Sequence, residues 1–163
     1  MSKNHMHLKL LQKNKVFLKR ISFLVFVIAL IFSINSFIYD DHLRDDATII
    51  FPQGEISAQV AKTSSARELG LSYRKTIYDK EGLLFVFDEP GNYSFWMKDM
   101  NFPIDILWIS SDKRIVSIEE NVATSTYPQS FINNPKALYV LEIKAGTRKD
   151  LGAFLGTEVK LDF

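Results

Sequence analysis

PIDILWISSDKRIVSIE, residues 103–119, is the stretch on which the fold turns. Pro103–Ser110 and Lys113–Glu119 read as two strands, and Ser111-Asp112 between them reads as a hairpin connection. Upstream, Gly82–Phe87 (GLLFVF) is a continuous apolar run of the kind found in a strand buried on both faces. Glu89-Pro90-Gly91-Asn92 then signals a turn, and Tyr93–Met97 resumes strand. Further back, Ala47–Phe51 and Glu55–Ala61 are strands separated by the turn Pro52-Gln53-Gly54. In the second of these, Ile56, Ala58 and Val60 alternate with Glu55, Ser57 and Gln59. Ser65 through Glu68 has the spacing of a capping box, and Gly70 ends the short helix it opens. Downstream, residues 121–136 show neither period and read as a long loop, a kind of segment that tends to be functional or mobile. Ala137–Lys144 returns to strand, Thr147 caps a short helix ending at Gly152, and Thr157–Phe163 closes the chain as a strand. The expectation is a β-rich α+β domain over residues 47–163, its sheet strongly curved or barrel-like, with two short helices.

The charge distribution divides the chain. Residues 1–20 hold six basic groups and no acidic one, and no charge occurs from Ile21 to Tyr39. From Asp40 onward 14 Lys and Arg face 19 Asp and Glu, a formal charge of −5. Ile21–Tyr39 is nineteen uncharged residues long, and as a helix it would extend roughly 29 Å, close to the hydrocarbon thickness of a bilayer. These features predict a basic cytoplasmic tail (1–20), a signal-anchor transmembrane helix (21–39), a polar spacer (40–46) and an extracytoplasmic domain. The alternative is a cleaved signal peptide, although the apolar run is longer than a usual h-region and no A-x-A-like site follows it. Either way the domain lies outside the cytoplasm. An acidic domain without a basic stripe repels phosphate backbones, so no nucleic-acid partner is expected.

The missing residue types constrain chemistry most. There is no cysteine, and His5, His7 and His42 all lie in or beside the N-terminal segment. The folded part therefore has no imidazole for a serine triad and neither histidine nor thiolate for zinc. No calcium-loop spacing and no glycine-rich phosphate cradle occur either, so no metal and no cofactor are expected. Carboxylate chemistry remains open, with Asp99, Asp105 and Glu142 as conceivable members of a hydrolytic pair.

Binding is the more natural class, and no catalytic residue is assigned. The segment from Phe95 to Pro103 sets aromatic and thioether side chains around Lys98 and Asp99. Trp96 offers a flat face and Lys98 a cationic donor, with burial in the core the competing role for Trp96 and Phe95. Asp105 interrupts the apolar run Ile104–Ile109, and Glu142 sits in the same way within Leu138–Ile143. A buried carboxylate without a partner is costly, so each calls for a solvated face or a partner, Arg67 and Arg74 being the candidates.

Ala66 to Arg74, Gly82 to Phe87, Phe95 to Lys98, Pro103-Ile104-Asp105, Tyr139 to Ile143 and Ala145-Gly146 together resemble the domain of unknown function 192 family, over residues 55–163. The resemblance implies a small exported or membrane-anchored prokaryotic protein with a compact β-rich domain, and implies no reaction. The family's polar pattern falls on Arg67, Arg74, Lys98, Asp105 and Glu142. This chain has Ser72 where the family usually shows Met, and Asp99-Met100 where it shows Asn-Thr. A ligand assignment copied from relatives therefore does not carry over to that loop. With Trp96 and Asp99 added, these residues make the candidate binding set for a small ligand, an envelope component or a partner protein. The alternative is a carboxylate-based hydrolase acting on an envelope substrate.

Overall fold

The computed structural model describes residues 17–30 and 46–163. The chain divides into two units, Met1–Asp41 and His42–Phe163. In the first, residues 17–30 form helix α1, whose large apolar side chains, Phe17, Phe23 and Phe26 among them, are exposed. The expected span Ile21–Tyr39 is helical as far as residue 30. Its remainder, with the tail up to residue 16 and the spacer up to residue 45, lies outside the described residues. Among the described residues no helix is long and apolar enough to cross a membrane, so the expected transmembrane helix finds no support.

The second unit is a β-rich α+β domain. Strands β1 (Asp46–Phe51) and β2 (Gly54–Ala61) form a hairpin in which Phe51 pairs with Gly54, leaving Pro52-Gln53 as the turn. Helix α2 (Ser64–Leu69) then carries the chain to β3 (Glu81–Gly91), which runs parallel to β2 as such a crossover requires. There follow β4 (Ser94–Trp96), β5 (Ile104–Ile109), β6 (Ile115–Val122), β7 (Ser130–Ile132), β8 (Ala137–Lys144), helix α3 (Thr147–Asp150) and β9 (Lys160–Asp162). Seven strands form one mixed sheet in the order β6-β5-β8-β3-β2-β1-β9, while β4 and β7 pair separately.

The hairpin around Ser111-Asp112 is present: β5 and β6 are antiparallel neighbours. The sheet does not close into a barrel, however. Around Gly156, at φ 82, the chain runs beside the start of β6, with an isolated bridge between Arg114 and Glu158 and backbone bonds from Gly156 to the Ile115 carbonyl and from Val159 to the Lys113 carbonyl, and then departs to lie against β1 as β9. The C-terminal segment thus forms the edge strand β9 on β1 and approaches the other edge only at the start of β6, without a continuous ladder between the two.

Alternation along β5 and β8 sorts the core into two clusters. Leu107, Ile109, Tyr139, Leu141 and Ile143 pack with Ile49, Ile56 and Leu84 on one face. Ile104, Ile106, Trp108 and Val140 pack with Leu83, Phe85, Phe95 and Met97 on the other. Every residue of β5 is buried, which is why its sequence reads as a near-continuous apolar run.

Four local expectations change. Helix α2 begins two residues earlier than a Ser65 cap implies: Thr63 is extended and its hydroxyl accepts from the Ala66 N–H at 3.1 Å. Gly70 ends that helix as expected, at φ 54. Thr147 lies inside α3, whose cap is Gly146 in the left-handed region, where no side chain caps it. The turn expected at residues 89–92 is instead the end of β3, whose register against β8 shifts between Val86 and Gly91. Pro90 lacks an N–H, and the irregularity accommodates it. The loop 121–136 is not structureless, since it holds a 3-10 turn (Thr124–Thr126) and strand β7, which pairs with β4.

Candidate functional site

Glu142 lies on central strand β8, opposite Leu83 of β3 and Ile106 of β5, and it faces the Phe85 and Trp108 side of the sheet. It is only 4% exposed. Its Oε2 is buried and has no hydrogen-bond partner. Burial alone pushes its carboxyl up from 4.5 to about 8. Among the described residues, the only other buried side-chain polar atom without a partner is Arg148 Nε, and that guanidinium is otherwise engaged by Glu120 and the Ala153 carbonyl.

Glu142 lines the inner end of a partly open pocket of about 260 Å³. Leu71, Phe85, Phe95 and Met100 give the pocket apolar walls, and Phe87, Tyr93 and Trp96 extend the aromatic surface. Arg67, Glu68, Ser72 and Ser94 supply the polar groups. The walls are rigid by construction. Phe95 packs edge-on against Phe85 at 4.8 Å and Trp108 at 5.9 Å, and Trp108 Nε1 donates to the Tyr93 carbonyl at 3.0 Å. Tyr93 stacks on Phe87 and donates its hydroxyl to the Glu89 carbonyl. The volume is near the lower end for small-ligand sites, suited to a small ligand or one group of a larger one.

The seven candidate residues separate. Arg67, Trp96 and Glu142 line this pocket. The Arg67 guanidinium lies over the Phe87 ring at 5.0 Å and donates to the carbonyls of Lys62 and Val86. Trp96 is half exposed, with the Lys98 ammonium 5.9 Å from its ring centre and Tyr127 edge-on beyond it. Its neighbours Phe95 and Met97 are core, so the alternation of β4 presents Trp96 outward, and Lys98 is exposed in the turn that follows. Asp99, at φ 56, accepts from the Tyr73 hydroxyl at 2.9 Å and shapes the loop next to the pocket. Arg74 belongs to a different groove with Ser57, Glu81 and Gln59, and donates to the Gln59 side chain.

Asp105 belongs to the opposite side of the sheet. It is fully buried and accepts main-chain N–H bonds from Asn121 (2.9 Å), Gly146 (2.9 Å) and Arg148 (3.3 Å). These bonds pin the start of α3 and the end of β6 to β5, a structural role. The arginine partners expected for the two carboxylates are therefore not found: Asp105 uses backbone donors, and Glu142 has no bond at Oε2. Met100 belongs to the Phe95–Pro103 segment read as a pocket lining, whereas Glu68, Ser72, Phe87 and Tyr93 were not anticipated as pocket residues. Only helical spacing next to Arg67 could have brought in Glu68, and the others depend on tertiary folding.

The domain of unknown function 192, described as Uncharacterized ACR, COG1430, matches residues 48–161. The chain belongs to this family. That match takes in β1 as well as the strands whose motifs carry the resemblance. A solved structure of a candidate transcription regulator from Sinorhizobium meliloti 1021 is similar at 33% identity and a TM-score of 0.64, covering 71% of this chain and 91% of that one. A protein of unknown function from Novosphingobium aromaticivorans DSM 12444 is similar at 28% identity and a TM-score of 0.62, covering 71% and 83%. No curated protein matches the chain.

Proposed function

We propose that this DUF192 domain is a binding module, and that a small ligand, or one group of a larger envelope component or partner, enters the pocket above Glu142. The observation that carries this reading is a nine-tenths-buried carboxylate with an unpartnered oxygen at a preformed, aromatic-walled pocket. A buried polar atom without a bond costs stability, and a ligand that supplies the missing bond recovers it. Less supports carboxylate-based hydrolysis, because Asp105 is engaged by three backbone amides on the other face, away from Glu142. The charge pattern around Ile21–Tyr39 supports membrane tethering with the domain outside the cytoplasm, and that location is part of the proposal.

The test is a thermal-shift screen of the full chain against cell-wall fragments, sugars, amino acids and nucleotides. A ligand at a hundred times its dissociation constant adds about 2.7 kcal/mol, a shift that is readily seen. A hit abolished by Trp96→Ala or Glu142→Gln and retained by Arg74→Ala supports the pocket. A hit that survives both pocket substitutions refutes it.

A further inference from the structure

We infer that the pocket recognises an ammonium group, so that its ligand is an amine carried on a small apolar body. This rests on the binding reading above and names the chemistry of that same site.

The first argument is donor accounting. Glu142 Oε2 is an acceptor in want of a donor, and no main-chain or side-chain N–H reaches it. An ammonium brings three N–H donors on one compact atom. A carbonyl or ether ligand brings none and is served only by the single O–H of the protonated acid. A carboxylate or phosphate ligand meets a carboxyl at the base and Glu68 at the lining, an unfavourable pairing.

The second argument is the wall. Phe85, Phe87, Tyr93, Phe95 and Trp96 all line the pocket, and aromatic faces attract cations. This aromatic surface already holds cations in place: Arg67 sits over Phe87 and Lys98 over Trp96. The charged or titratable groups lining the pocket with Glu142 are Arg67 and Glu68 from α2 and Tyr93 from the β3–β4 connection. On the strands flanking Glu142, the residues opposite it are Leu83 and Ile106, both apolar. Arg67 already donates to two backbone carbonyls, and among the described residues no cation bonds the buried oxygen.

The pH dependence follows. Binding an ammonium requires Glu142 to release its proton. Affinity for the amine therefore rises close to tenfold per pH unit up to about pH 8, where burial has placed that carboxyl, and then levels until the amine itself deprotonates near about pH 10.4. A neutral ligand of the same shape shows no such rise.

The experiment uses three probes of one shape, n-butylammonium, butan-1-ol and butyrate, with the full chain and saturation-transfer NMR at pH 6, 7 and 8. The expected result is preference for butylammonium, rising with pH and reduced at least tenfold in Glu142→Gln. Circular dichroism of that variant at each pH establishes that it is folded, so that unfolding does not explain a loss. Trp96→Ala, at a half-exposed residue, gives a second variant with weakened binding. Equal binding of butanol and butylammonium, or an amine affinity flat with pH, overturns the ammonium assignment and leaves the pocket as a binding site. No binding by any probe overturns the ammonium assignment, and the thermal-shift screen then decides the binding reading by itself.

Discussion

Replacing Glu142 by Gln should change how the stability of the protein depends on pH, in a direction opposite to that of most carboxylates. In the folded chain burial raises the carboxyl from 4.5 to about 8, whereas in the unfolded chain it titrates near its ordinary value. Below both values the group is protonated in both states and contributes nothing to the pH dependence. Between them the folded state keeps a proton that the unfolded state releases, so stability falls as pH rises. The interval spans about three and a half powers of ten in proton concentration, each worth about 1.4 kcal/mol, or on the order of 5 kcal/mol in all. That is a large share of the roughly 5–15 kcal/mol that holds a domain together.

The assay is urea unfolding of the full native chain and of Glu142→Gln between pH 5 and pH 9, followed by the fluorescence of Trp96 and Trp108. The buried amide has its own unmet hydrogen bonds, and that penalty is independent of pH, so the slope rather than the offset is diagnostic. Asp112 is held below its usual value mainly by Ser110, and Glu120 mainly by Arg148. Both favour the folded state above their unfolded values and lose that contribution as pH falls, but they are common to the two proteins and cancel in the difference. The variant should gain on the native chain by several kcal/mol from pH 5 to pH 8, with little further change above. Parallel curves would refute the reasoning, because they would mean that the Glu142 carboxylate finds a donor or water in the folded protein.

Asp105→Ala strands three main-chain N–H groups and should cost about 2–4 kcal/mol in denaturant titrations, with faster hydrogen exchange at the Gly146 and Arg148 amides. Trp108→Phe removes the donor to the Tyr93 carbonyl and part of the packing against Phe95, for about 2–3 kcal/mol measured the same way. Gly82→Ala brings a methyl to 3.0 Å from both the Glu142 carbonyl and an Ile56 methyl, so it should destabilise by about 1–3 kcal/mol by thermal unfolding.

The sheet was legible in the sequence where strands are short, alternating and bounded by turn residues. Ala137–Lys144 coincides with β8, and the hairpin at Ser111-Asp112 is in place, because a covered central strand writes its burial into its composition. Closure was not legible, because whether residues 157–159 extend a ladder or meet only residues 113–115 depends on where Gly156 turns the chain. Strand β7 was missed because its partner β4 lies some thirty-six residues earlier, and three residues are too few to show a period. Of the candidate residues, Arg67, Trp96 and Glu142 line the pocket: Trp96 was read from its flat ring, Glu142 from its place in an apolar run, and Arg67 as a candidate partner for a buried acid. Their separation from Arg74 and Asp105 follows from strand faces and loop paths that residue type does not encode.

Asp105 and Glu142 make that point most sharply. Each interrupts an apolar strand, the strands are neighbours, and the registers Asp105–Ile143 and Ile106–Glu142 set the two acids one step apart. That single step, in a structure with a two-residue side-chain period, sends them to opposite faces. Asp105 emerges where β6 ends and α3 begins, among backbone amides free to donate, and its burial stabilises the fold. Glu142 emerges between Leu83 and Ile106 on strands whose amides pair within the sheet, and its burial stabilises nothing within the chain. A leucine there would pack better and remove the desolvation penalty altogether. A carboxyl held at such a cost, beside a pocket open to solvent, is what the proposed ligand would account for and the fold does not.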